Sequence, residues 1–383
     1  MSRSLRLWTI RDIDIKVHIT FPLILLWAAF QFGVMGTGGI GGAVVGIFAI
    51  LILFVIVLLH ELGHSLAAQH YHVEVKQIVL LPIGGVAQLT RIPENPKQEF
   101  MIAVAGPVAN VLIALLMIIV SLGAGLDLGL TRAPLVFQGS GLIRVESIFN
   151  YVFISNLIIL AFNLIPAFPL DGGRMFRALL ATRLSYARAT VTAGAIGQGL
   201  AILLGVWGAL NFNLIWIFIA LFIYVGASQE RRSIRIRSLL ARVKVSQVYS
   251  QGIPYLFANS TVKLALDVAR QTPHSHFPVI EGDKYVGLIS WEELIDAMKI
   301  PRSDVVLGEL QMKERPTLQL QDDLSEAQRL MEDHELTALP VIDSGRFMGL
   351  ISVRVIEEVL RTTMSQPKHP HIRQQPSDSR INS

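Results

Sequence analysis

Residues 54–73 read FVIVLLHELGHSLAAQHYHV, an apolar run that ends in ionisable groups. No charge occurs from Met35 to Leu59, and about 20 such residues suffice for a helix to cross a bilayer. Ionisable groups at the end of that helix are costly without partners, on the order of 2.5–3.5 kcal/mol for Asp or Lys at the bilayer centre. In a helix, His60 and His64 project from one face about a turn apart. Two imidazoles at that spacing can bind one zinc, with Glu61 beside them to take a proton from the water the metal activates. A metal would then be the missing partner. The alternative is a helix end whose polar side chains reach out to the interface.

The chain around this stretch has 383 residues, of which 52% are hydrophobic and 16% charged. Long uncharged segments fill residues 18–228, and from Glu230 onward the composition is that of a soluble protein. The expected fold is a polytopic α-helical membrane domain followed by an α/β module. Six spans are expected, at 18–35, 38–66, 99–123, 147–170, 189–208 and 212–229. Lys and Arg flank alternate loops: Arg3, Arg6, Arg11 and Lys16 before span one, Lys76, Arg91 and Lys97 after span two, Arg174, Arg177, Arg183 and Arg188 after span four, and Arg231, Arg232, Arg235 and Arg237 after span six. The positive-inside rule then places both termini and the soluble module in the cytoplasm, with the protein multi-pass in the cell membrane. This placement also accounts for the net charge of +4, so no nucleic-acid partner is expected. The absence of cysteine excludes disulfides, thiol nucleophiles and cysteine-ligated metals. The N-terminal residues lack the apolar core and cleavage site of a signal peptide.

Between spans two and three, VEVKQIVLLPIGGVAQL (73–89) is rich in β-branched residues and broken by Gly84-Gly85. It reads as a hairpin, or as a plain connector. In the soluble part, FPVIEGDKYVGLIS (277–290) realigns with LPVIDSGRFMGLIS (339–352) at an offset of 62 residues. Each copy reads as strand, turn, strand and helix, with another helix before it. The tail from about Ser365 has too few apolar residues to fold and is expected to be disordered.

A catalytic zinc takes three protein ligands as a rule, and thiolates are absent here. A carboxylate at the right depth is Asp171, which follows the apolar stretch of span four in FNLIPAFPLDGGRMFRAL (162–179). Its competing role is to cap a helix starting near Gly172. Pro166 and Pro169 break the end of this span, and irregular backbone at that depth implies a polar chamber, with Asn163 as a hydrogen-bonding group. In AGPVAN (105–110), Gly106 and Pro107 precede Asn110 by one turn, which suits either close helix packing or function. His18, His70 and His72 read as interfacial or surface side chains.

HELGH, AGPVAN and NLIPAFPLDGGR, in this order on spans two, three and four, resemble the site-2 protease family of intramembrane zinc metalloproteases. The duplicated module is similar to a pair of cystathionine-β-synthase (CBS) domains. The resemblance implies one zinc per chain held by His60, His64 and Asp171, with Glu61 as general base and Asn163 near the reacting carbonyl. It implies cleavage of a transmembrane segment of a single-pass substrate inside the lipid bilayer. The domains implied are residues 1–235 for the protease, 243–301 and 305–362 for the CBS pair, and 365–383 for the tail. CBS pairs commonly bind adenine nucleotides, with ribose held by an Asp three residues after a Ser or Thr. Here Ser290 and Ser352 fit the hydroxyl position, while Glu293 and Val355 stand at the Asp positions. At most one nucleotide is therefore expected, bound by Ser290 and Glu293; a homodimer through the CBS pair is the other role. The rival reading of the whole chain is a CBS-regulated transporter or channel with His60, Glu61 and Asp171 as an ion path. An aspartyl protease would need a second membrane aspartate, and Ser140 in QGSG lacks a basic partner.

Overall fold

In a computed structural model, the apolar run becomes one helix, α2 (Gly39–His70), of 32 residues. The structure describes residues 4–365 apart from 37, 83, 90–92, 94, 127, 129–144, 273, 283, 300–304, 311, 313 and 314. Ser140 and nearly all of the tail lie outside the described residues. The chain divides into two units, Met1–Ile234 and Arg235–Ser383.

The first unit contains α1 (Pro22–Ala29), which continues as a π-helical segment at Phe30–Met35, then α2, α3 (Pro96–Ala124), α4 (Val145–Asn163), α5 (Asp171–Ala181), α6 (Tyr186–Leu210) and most of α7 (Leu214–Leu240). Four of these, α2, α3, α6 and α7, are long and apolar enough to cross a membrane, and Pro22–Met35 and Ile148–Asn163 are shorter apolar helices. Three expectations need correcting. Span one does not begin at residue 18, because Ile13–His18 is a strand and the helix opens at Pro22, whose fixed φ suits a first helical turn. Span four stops at Asn163 rather than 170, since Pro166 and Pro169 cannot donate to a helix ladder; the Phe168–Pro169 bond is cis. The last helix runs on to Leu240, beyond 229, carrying the charged stretch QERRSIRIR.

The N-terminal segment forms a sheet that the basic-flank reading overlooked. Strands β1 (Ser4–Ile10), β2 (Ile13–His18), β3 (Val75–Leu81) and β4 (Gly84–Leu89) lie in that order. β1 and β2 form a tight hairpin with Arg11 and Asp12 both at positive φ, the twist that two-residue hairpins require. β2 pairs parallel with β3, and β3 antiparallel with β4. The hydrophobic alternation of IDIKVH explains the seating: Ile13 and Ile15 are fully buried with Phe54 and Leu58 of α2.

A charged node joins three helices. Arg177 of α5 is fully buried, and its Nε donates to Glu99 Oε1 of α3 at 2.7 Å, while Nη1 donates to Glu230 of α7. The guanidinium also lies 4.9 Å from the ring centroids of both Phe168 and Tyr186.

The second unit bears out the repeat in detail. The first copy has β5 (Leu256–Phe257), α8 (Val262–Arg270), β6 (His276–Glu281), β7 (Lys284–Ser290) and α9 (Trp291–Ala297). The second has α10 (Leu324–Asp333), β8 (Ala338–Asp343), β9 (Arg346–Ser352) and α11 (Val353–Ser365). Even the irregularity recurs, between Val279 and Ile280 and between Val341 and Ile342.

Replacing Arg177 by Met should leave the Glu99 carboxylate buried without a cation, at about 3–5 kcal/mol. Thermal unfolding of the purified protein should show the loss, and the double replacement Arg177→Met with Glu99→Leu should recover most of it.

Candidate metal centre

His60 and His64 stand on one face of α2, as their spacing dictates, and Asp171 arrives from the start of α5. The Asp171 side chain is not a cap: Leu170 occupies that place, and Asp171 is the first helical residue. The two Nε2 atoms are 3.1 Å apart, and Asp171 Oδ2 lies 3.1 Å from His60 Nε2 and 3.0 Å from His64 Nε2. All three residues are buried.

The outer faces of the rings fix the chemistry of the inner ones. His64 Nδ1 is 2.7 Å from the Ile102 carbonyl, which can only accept, so the proton of a neutral ring sits on Nδ1. His60 Nδ1 is 2.8 Å from Asn110 Oδ1, which holds its ring the same way. Both Nε2 lone pairs then face each other and a carboxylate oxygen within 3.1 Å. Three acceptors converging in a buried place call for a proton or a metal cation between them. The set of two imidazoles and one carboxylate is that of zinc sites, whose bonds of about 2.0–2.2 Å fit such a triangle. Among the described residues this is the one His, Cys, Asp and Glu group close enough to hold a metal.

Gly106 makes room for it. A β-carbon there would lie 2.2 Å from His64 Nε2 and 2.7 Å from His60 Cε1. AGPVAN therefore meets the cluster itself: Gly106 leaves space and Asn110 orients His60. Asn156, which the sequence reading passed over, donates from Nδ2 to the Asn110 carbonyl at 3.0 Å. Its signal is an amide inside an uncharged span that also holds Asn150 and Asn163.

Glu61 turns to the sheet. Its Oε2 accepts from the Ala87 N–H of β4 at 3.2 Å, and a β-carbon at Gly85 would come within 2.7 Å of its Cγ. Asn163 ends α4 half-buried, and among the described residues its side chain has no hydrogen-bond partner. His70 is the last residue of α2, and His72 sits in the following turn at positive φ.

In the second unit, a cleft of about 1170 Å³ is lined by residues including His276, Ser290, Glu293, Arg315, His334 and Thr337. Ser290 and Glu293 bond each other reciprocally at the start of α9, and Arg315 donates to both Glu293 oxygens at 2.8 and 2.6 Å. Burial pushes Glu293 up, but the Ser290 bonds and the Arg315 charge outweigh it and hold the carboxyl below its ordinary range.

Fold and cluster together define a helical membrane protein with a buried two-histidine, one-carboxylate centre. Its sequence matches Peptidase family M50 over residues 48–138 and 135–206, and the CBS domain over 245–300 and 307–362. It is 32% identical over 353 residues to the zinc metalloprotease MJ0392 of Methanocaldococcus jannaschii, covering 92% of this chain and 94% of that one. It is 29% identical to the stage IV sporulation protein FB of Bacillus subtilis, covering 60% of this chain and 72% of that one. Among solved structures, a site-2 protease from Methanocaldococcus jannaschii is similar at 38% identity, with a TM-score of 0.43, covering 60% of this chain and 95% of that one. The chain belongs to the site-2 protease family, Peptidase family M50. It is a membrane-embedded zinc metalloendopeptidase with a CBS pair, which answers the choice between hydrolysis and an ion path in favour of hydrolysis.

Orientation of the rings should matter to metal binding. Asn110→Leu should weaken zinc binding by roughly 10–100-fold, as loss of an outer partner commonly does. Gly106→Ala should prevent binding outright. Competition against a zinc chelator measures both.

Proposed function

We propose that this protein hydrolyses a peptide bond within or near a transmembrane segment of a single-pass membrane protein. The observation that carries this reading is the convergence of the His60, His64 and Asp171 acceptors among membrane helices, with Glu61 adjoining a strand rim. His60, His64 and Asp171 would hold one zinc. When bound, zinc polarises water and brings its pKa to about 7. Glu61 takes the proton and delivers it to the leaving amine. Its bond to Ala87 N–H aims the carboxylate while leaving Oε1 free to receive that proton. Asn163, at the end of α4, steadies the carbonyl of the bond being cut. The domains are residues 1–235, 243–301, 305–362 and the tail 365–383, with both termini and the CBS pair cytoplasmic.

A transmembrane helix hides its peptide bonds in internal hydrogen bonds, so the segment must unwind first. β4 is an edge strand beside Glu61, and an extended peptide adds to such a rim. Helix-breaking residues near the cut should therefore speed cleavage. Glu61→Gln should keep zinc and abolish cleavage of a membrane-embedded reporter, whereas Asp171→Ala should lose zinc. A Gln variant that cuts normally would overturn the mechanism.

The CBS pair modulates this activity. At most one adenine nucleotide binds, at the Ser290 and Glu293 side, where ribose must displace Arg315 from a carboxylate already engaged. Val355 offers no acceptor in the other copy. Calorimetric titration of the purified chain with ATP, ADP and AMP should show one site or none, weakened by Glu293→Ala. Two tight sites would contradict this assignment; no binding would leave the pair the homodimerising role.

A further inference from the structure

Strand β1 of the N-terminal hairpin carries an apolar face that the described residues leave partly exposed. Paired residues of an antiparallel ladder share a face. Leu5 pairs with Val17, Trp8 with Ile15 and Ile10 with Ile13, so all six point the same way, while Arg6 with Lys16 and Thr9 with Asp14 point the other. Under β2 this face is covered: Ile13 and Ile15 are fully buried against the helices. Under β1 the cover ends, and Leu5 is 73% exposed, Trp8 48% and Ile10 37%. The opposite face carries Asp14 between Arg6 and Lys16, and Leu7, also exposed, lies at the register shift between Arg6 and Trp8.

We propose that the Leu5, Trp8 and Ile10 face of β1 is seated in the headgroup and upper acyl region of the bilayer. Three observations select lipid as the occupant. Only Ile19–Phe21 separate β2 from the apolar helix α1, so the hairpin has no slack to leave the membrane boundary. The exposed apolar residues of β1 are followed along the chain by Ile19 and by Leu23 and Leu26 of the apolar helix α1, which are exposed as well. The pattern of Trp and aliphatic residues on one face and basic residues on the other is that of elements lying in the interface. Water remains available there to the unpaired edge of β1. Because β2 and β3 are joined in register, the seat would also set the depth of β4 beside Glu61. That consequence rests on the function proposed for Glu61; the seat itself does not.

The chain has no cysteine, so single labels can be placed without background. Nitroxides at Leu5→Cys, Ile10→Cys and, on the other face, Thr9→Cys are read in the full chain reconstituted in vesicles of zwitterionic and anionic phospholipid. The ratio of oxygen to nickel-chelate accessibility should be roughly tenfold higher at positions 5 and 10 than at 9. Equal, water-like ratios at all three positions would overturn the seat. So would spin–spin broadening that rises with protein density, which would make a second copy the occupant. A milder variant guards against misfolding: the emission lost in Trp8→Phe isolates Trp8, and brominated acyl chains should quench it. Quenching by aqueous iodide alone would contradict the proposal.

Discussion

Three lone pairs aimed at one point are the constraint around which the membrane unit is arranged. His60 Nε2, His64 Nε2 and Asp171 Oδ2 lie within 3.1 Å of one another in a buried place, an arrangement that repels itself unless a proton or a metal ion sits between them. Each contributing element is then held from behind. The Ile102 carbonyl and Asn110 set the rings, Asn156 bonds the backbone of Asn110, and Arg177 ties the helix of Asp171 to Glu99 on α3. Thus α3 serves the centre twice, through its carbonyl and amide beside the histidines and through its first-turn carboxylate.

The sequence exposes the parts of this design that depend on local spacing. The apolar run and the four-residue interval between His60 and His64 require only helix geometry to be read. That Asp171 meets them could be inferred because cysteine is absent and few carboxylates follow an apolar span. The 62-residue repeat was legible because matched Pro, Gly and Ser positions survive in both copies. What stayed hidden depends on pairings distant in sequence. Asn110 and His60 are 50 residues apart, Arg177 and Glu99 78, and neither separation leaves a pattern. The hairpin at the N-terminus is a different case. Its alternation was present in IDIKVH, but the basic residues on its other face were read only as an orientation signal.

Glu293 illustrates how a plausible substitution can change the meaning of a site. Glutamate at a position where the resemblance to CBS pairs implies aspartate reads as the same acceptor on a longer arm. In the folded chain that extra reach serves the start of α9 and Arg315. A ligand must therefore compete with a bond already made, which is a different task from filling an empty one.

The sheet also has a bearing on what happens when lipid is stripped away. Among the described residues it is open at both rims, β1 and β4, and the parallel β2–β3 join makes them parts of one plate. Open rims are templates for foreign strands. At β4 the side chain of Glu61 occupies one backbone donor, whereas no side chain of the described residues guards the apolar face of β1. Extraction into a small-headed, thin detergent belt would uncover the apolar face beside the β1 rim first. The route to aggregation would then begin as strand exchange at the N-terminus, while the helices and the centre they carry remained intact.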